Sequence, residues 1–297
     1  MKFTKMHGLG NDYVYVDGTR EPVPDPSRTA CVVADRHRGV GGDGLIIIRP
    51  PSRPGAVCRM EMYNADGSRA QMCGNGIRCV AKYVLDRSWT PGPALQIETE
   101  SGLRDLRLVE RDSGGRASLI EVDMGPPRLA RKEIPLADGG PPEKTAVGFI
   151  IEAGGRRLEA TAVSMGNPHC IVRLRGVEPF GTRLADLVLS ELGPPLERHR
   201  YFPERANVEF VEPRSGSEMD FRVWERGSGE TKACGTGACA AVVAGVLGGW
   251  CDRSAVVHLP GGDLSIRWDD CTNRVFMTGP AVEVFEGELD LDRLLAN

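Results

Sequence analysis

Two short stretches of this chain have the composition of a proton-transfer site. Cys73-Gly74-Asn75-Gly76 and Cys234-Gly235-Thr236-Gly237 each set a thiol before a glycine-rich turn. Each turn runs into helix-periodic apolar sequence: Ile77, Val80, Ala81, Val84 and Leu85 after the first, Ala238, Ala241, Val242 and Leu247 after the second. A turn that opens a helix leaves backbone N–H groups unpaired, and the aligned peptide dipoles add positive charge there. Such a turn is a natural carboxylate site. The same donors stabilise a thiolate, so both cysteines are expected to titrate below the ~8.5 of a free thiol. A single copy is explained at least as well by a tight turn with a buried cysteine. Two copies allow more: one thiolate abstracts a proton from a carbon, and the other thiol donates one to the opposite face, inverting the configuration without a cofactor. The helix starts would hold the substrate's α-carboxylate and stabilise the charge that develops as its proton leaves.

The elements that must position these thiols recur in one order. Gly10-Asn11 precedes strand-like Tyr13-Val14-Tyr15-Val16, and Gly166-Asn167 precedes Cys170-Ile171-Val172. The alternating runs Met60-Glu61-Met62-Tyr63-Asn64 and Phe221-Arg222-Val223-Trp224-Glu225 each end nine residues before a thiol. Hairpins are expected from Leu95-Gln96-Ile97 through Gly102 to Leu108, and from Val256-Val257 through Gly261-Gly262 to Trp268. Met124-Gly125-Pro126 and Thr278-Gly279-Pro280 close the two series. A repeat of about 155 to 160 residues is too long for a solenoid. It predicts an α+β fold of two pseudo-symmetric domains, each a curved, mostly antiparallel sheet wrapped around one central helix. The active site is expected in the cleft between them. The junction falls within the Pro- and Gly-rich stretch Pro126 to Lys144, giving domains 1–130 and 131–297, with a C-terminal strand free to pack back on the first half. Arg49 to Gly55 reads as a surface loop. Thr182 to Leu192 reads as a further helix, with Leu184, Leu187, Val188 and Leu192 on one face.

The chain has 297 residues, enough for about two domains. A net charge of −4 argues against a nucleic-acid surface. The start lacks the apolar segment of a signal peptide. The uncharged stretch Ala233 to Cys251 holds five glycines and is too short in apolar residues to span a bilayer, so it reads as a buried helix. The nine cysteines have no framework or zinc spacing. A reduced cytoplasmic protein is therefore expected, with no metal, no membrane association and the other seven cysteines as packing.

At this point the chain resembles the diaminopimelate epimerase family over nearly its whole length. The matching stretches are Lys5-Met6-His7-Gly8-Leu9-Gly10-Asn11-Asp12, the loop from Asp35-Arg36 to Asp43-Gly44, and Tyr63-Asn64-Ala65-Asp66-Gly67-Ser68. Met72 to Gly76, Gly166-Asn167-Pro168-His169, and Glu225-Arg226-Gly227 through Ala233 to Gly237 complete them. The resemblance implies an isomerase that interconverts LL- and meso-2,6-diaminopimelate, needs no cofactor and forms a homodimer. It implies Cys73 and Cys234 as the catalytic pair. Substrate contacts are implied for Asn11, Asn64, Gly74, Asn75, Asn167, Asn207, Glu225, Arg226, Gly235 and Thr236. His169 and Glu225 are implied to adjust the thiols. Gly44 stands where some family members carry Gln, and no role follows for it. A proline racemase-type isomerase is the nearest rival, but it commonly has His after the first Cys-Gly and Pro before the second Cys, where this chain has Asn75 and Ala233. A non-enzymatic thiol or metal-binding module would bind metal stoichiometrically without turnover. A pyridoxal phosphate racemase needs a Schiff-base lysine, and none sits in a phosphate-cofactor context.

Overall fold

A computed structural model describes residues 1–70, 72–176 and 178–296; Asn297, the expected end of the second half, lies outside them. Among the described residues the α-helices are α1 (Pro26–Ala34), α2 (Gly74–Asp86), α3 (Leu189–Glu197), α4 (Gly235–Leu247) and α5 (Leu291–Ala296), and most other regular structure is strand. None of these helices is long and apolar enough to cross a membrane. The chain folds as two units, residues 1–123 with 278–297, and residues 124–277. The expected cut after residue 130 lies seven residues past the first junction. The landmarks Met124-Gly125-Pro126 and Thr278-Gly279-Pro280 begin where the chain leaves and re-enters the first unit.

In the first unit, strands Lys2–Gly8 and Asn11–Asp17 form a hairpin. Its two-residue turn, Leu9-Gly10, has φ of 57° and 80°, the left-handed pair whose twist suits adjoining strands. Asn11–Asp17 runs parallel to Gly44–Arg49, which is antiparallel to Cys58–Asn64, which in turn is parallel to Ala94–Thr99. Ala94–Thr99 and Gly102–Arg111 close a hairpin. The C-terminal strand Val282–Glu288 pairs antiparallel with Lys2–Gly8. Leu45, Ile46, Ile47 and Ile48 are buried on both faces of their strand, which accounts for the unbroken apolar run. α2 is buried from Gly74 to Leu85 and packs on Lys2–Gly8, Asn11–Asp17, Ala94–Thr99 and Val282–Glu288. Its buried Lys82 is satisfied by Asp86 at 2.8 Å and the Ala117 carbonyl at 2.7 Å.

The second unit repeats this pairing order. Pro168–Arg173 is parallel to Asn207–Pro213, then Glu218–Glu225 follows antiparallel, Ser254–Leu259 parallel and Gly262–Trp268 antiparallel. Ala146–Ala153 and Arg156–Ser164 extend the other edge. α4, apolar on all sides, is buried among these strands. The duplication seen in the sequence is thus a duplication of strand order and of a central helix.

The helix expected over Thr182 to Leu192 is not continuous. Leu184–Asp186 is a single 3-10 turn, and α3 begins only at Leu189. The Arg222 guanidinium donates to the carbonyls of Leu184, Ala185 and Leu187 at 2.8, 3.1 and 2.8 Å. These are the acceptors that an α-helix would use for its own N–H groups. Val188, placed on the apolar face by periodicity, is 52% exposed.

Candidate functional site

Both cysteines occupy helix N-caps. Cys73 (φ −131°, ψ 123°) caps α2, and its Sγ accepts the Gly76 N–H at 3.4 Å. Cys234 (φ −118°, ψ 106°) caps α4, and its Sγ accepts the Gly237 N–H at 3.4 Å. The last glycine of each motif is also a packing requirement. A Cβ on Gly76 would stand 2.8 Å from Ile46 Cδ1, and one on Gly237 would stand 2.6 Å from Glu209 Oε1.

In the first unit the Cys73 thiol donates to Asn11 Oδ1 at 3.2 Å, and Asn11 Nδ2 donates to Asp43 Oδ2 at 2.8 Å. Asp43 also accepts from the Asp12 N–H at 3.1 Å and from Arg36 at 3.0 Å. Asp12 lies 2.6 Å from Lys5 and 2.7 Å from Arg36. Burial opposes its charge, but these two cations hold its carboxyl below the ordinary range. Asn75, 2% exposed, accepts a hydrogen bond on Oδ1 from Arg78 at 2.9 Å, and Arg78 also donates to the Gly74 carbonyl at 3.1 Å. A fully buried guanidinium therefore braces the first turn of α2. Asn64 ends its strand opposite Gly44, its amide donating to Ser68 Oγ at 2.9 Å. A Cβ on Gly44 would lie 2.1 Å from the Tyr63 carbonyl oxygen, so this backbone leaves no room for any side chain there.

In the second unit a chain of polar contacts runs to Cys234. His169 Nδ1 lies 2.6 Å from Glu209 Oε1, and both side chains are fully buried. His169 Nε2 lies 3.0 Å from Asn167 Oδ1. Asn167 Nδ2 donates to Thr236 Oγ1 at 3.4 Å, which stands 3.6 Å from Cys234 Sγ. Glu225, half-buried, accepts a hydrogen bond from Thr231. A second chain joins Asn207 to the Pro168 carbonyl at 3.2 Å and takes the Arg226 N–H on Asn207 Oδ1 at 2.9 Å. The exposed Arg226 guanidinium rests on the Glu204 carbonyl at 3.0 Å. Gly235 is buried in the first turn of α4.

The expectation of a lowered thiol is overturned at Cys234. Burial, then the Glu225 and Glu209 carboxylates, push it well above the ordinary value, against the smaller pull of Thr236 and the Gly237 N–H. Burial also raises Glu225, opposed by its bond to Thr231. Among the other cysteines, burial pushes Cys58 up to about 12 and Cys79 up to about 11. Among the described residues no three His, Cys, Asp or Glu side chains group as a metal site requires.

Sequence reasoning missed Glu209 and Asp43 as members of these networks. Glu209 Oε2 is buried without a hydrogen-bond partner among the described residues. The available signal was a carboxylate inside the apolar run Val208 to Val211.

The sequence model of the diaminopimelate epimerase family matches residues 3–130 and 161–284. A diaminopimelate epimerase of Acetivibrio thermocellus is 49% identical over 99% of this chain and 100% of its own length. A diaminopimelate epimerase of Agathobacter rectalis is 50% identical over 98% of this chain and 100% of its own. Among solved structures, a probable proline racemase from Agrobacterium radiobacter superposes with a TM-score of 0.70 at 14% identity, over 98% of this chain and 93% of that one. That last likeness speaks to the fold alone.

Proposed function

The chain belongs to the diaminopimelate epimerase family, and we propose that it interconverts LL- and meso-2,6-diaminopimelate with Cys73 and Cys234 as its acid–base pair. The observation that carries this reading is the repeated N-cap thiol: each unit sets one cysteine on the first turn of its buried central helix, within the same order of strands. In one direction the Cys73 thiolate takes the α-proton, breaking C–H and forming S–H. The Cys234 thiol then delivers its own proton to the opposite face of the carbon. The reverse reaction exchanges the two roles. The high resting position of the Cys234 thiol suits it to start as the donor. The first-turn N–H groups of Gly74, Asn75, Gly235 and Thr236 receive the α-carboxylate and stabilise the charge developing on it. Asn11 and Asn167 orient the reacting head, while Asn64, Asn207 and Arg226 recognise the distal amino-acid head. Arg226 is suited to bidentate pairing with its carboxylate. His169 and Glu225 set the surroundings of Cys234. No cofactor takes part, and the product serves lysine and cell-wall precursor synthesis. A cytoplasmic homodimer is the working form.

The test is incubation of LL-diaminopimelate with metal-free, pyridoxal-free protein in deuterated water. Deuterium is expected mainly in the product at early times, since each face has its own acid. Equal early exchange into substrate and product would replace the pair by one shuttling base. Turnover of proline or lysine as fast as diaminopimelate would remove the substrate assignment. Cys73→Ala and Cys234→Ala should each lower the rate at least ~100-fold with melting unchanged, whereas Cys79→Ala should leave turnover intact.

A further inference from the structure

Glu197, the last residue of α3, is 2% exposed. Neither the motifs nor the family resemblance assigns it a role. Its Oε2 accepts the Trp224 indole N–H at 2.9 Å, and its Oε1 accepts the Gly227 backbone N–H at 3.2 Å. Arg205 Nη1 lies 3.8 Å from the same Oε1, and the Glu197 carbonyl accepts the Ala206 N–H at 3.1 Å. Gly227, in a left-handed turn at φ 81°, directly follows Arg226. Arg205 and Ala206 directly follow Glu204, whose carbonyl carries the Arg226 guanidinium. One buried side chain thus ties together the turn that holds the Arg226 backbone and the segment that holds its side chain. Trp224 seals the joint: a Cβ on Gly193 of α3 would stand 2.2 Å from the indole Cγ, so helix and strand meet without slack.

We propose that Glu197 is a positioning residue for substrate selection, fixing the Arg226 guanidinium where it meets the distal carboxylate of the substrate. The inference rests on the proposed function. The need for a carboxylate rather than an amide follows from the donor count. Two N–H groups converge on two different oxygens, and glutamine would turn an NH2 group toward one of them. That leaves a buried donor unpaired and lets the Arg226 turn move.

Steady-state kinetics with LL-diaminopimelate test this on the full chain. Glu197→Gln should raise KM about tenfold and leave kcat within about twofold, because the lost contact lies at the unreactive head and acts on ground and transition states alike. In an Arg226→Lys background the same substitution should change KM less than about twofold, because its effect passes through Arg226. Equal effects in both backgrounds would assign Glu197 to packing alone and overturn the proposal. Should Glu197→Gln fail to fold, Glu197→Asp keeps the charge but shortens the reach. A folded Glu197→Asp protein with the parental KM would overturn the proposal equally. Parental protein that turns over diaminopimelate, paired with an unaffected variant, removes this inference alone; parental protein that does not turn it over removes the proposed function and this inference with it.

Discussion

At Cys234 two opposite influences meet in one thiol. The Gly237 N–H and the Thr236 hydroxyl favour the thiolate, whereas burial and the carboxylates of Glu225 and Glu209 favour the thiol, and the latter group prevails. Glu209 is the informative member, because it is fully buried, lies 2.6 Å from His169 and has one oxygen without a partner among the described residues. Glu209→Gln removes a like charge while keeping the side chain's volume. The pH at which iodoacetamide half-modifies Cys234 is therefore expected to fall, yet to remain above that of a free thiol, since burial is the larger cause. Peptide mapping of alkylation rates against pH measures it. An unchanged or rising midpoint would remove Glu209 from the control of this thiol. The two cysteines, with Asn11 and Asn167, stand at matching places in the two repeats, whereas Asn75, Asn207 and Arg226 entered as candidates only through the family resemblance. Glu209 was not legible, because six successive residues of its strand, Asn207 to Glu212, are all buried, and alternation has no outward face to report there.

At the scale of elements, the last glycine of each cysteine motif is fixed because the first turns of α2 and α4 are pressed against strands with no space for a methyl group. Gly237→Ala would gain ~0.5–1 kcal/mol of helix preference. It would also set a Cβ 2.6 Å from Glu209 Oε1 in a filled interior, where overpacking costs about 1–3 kcal/mol. A net loss of stability is expected in chemical unfolding, together with slower turnover as the N–H donor to Cys234 shifts. A variant more stable than the parent would show that the first turn of α4 can relax. Hairpins, the two central helices and the alternating strands were legible because each is a local pattern. The helix expected over Thr182 to Leu192 failed for a non-local reason: Arg222, from a strand some thirty-five residues later, occupies the carbonyls that its continuation required.

For the molecule as a whole, the closing device of the first unit is its C-terminal return. Val282–Glu288 covers the edge of Lys2–Gly8, and Arg87, at the C-terminal end of α2, bonds Glu283 of that strand at 3.2 Å. A chain ending at Ala281 would leave a strand edge open to pairing with other chains. Such a truncation is expected to aggregate or to lose the cooperative unfolding of the first unit, as read by calorimetry and light scattering; parental melting in a monodisperse sample would refute it. The sequence by itself determined the duplicated order of elements, the two thiols at helix starts and the family. Turn residues, apolar periodicity and motif spacing are properties of neighbouring residues, and they survive reading one position at a time. Only the tertiary structure decided that residues 278–297 complete the first unit, that Cys234 is a raised rather than a lowered thiol, and that Glu197 and Glu209 stand behind Arg226 and His169. Those outcomes depend on strand pairings between distant segments and on how much water each charge loses, and neither is encoded at any single position.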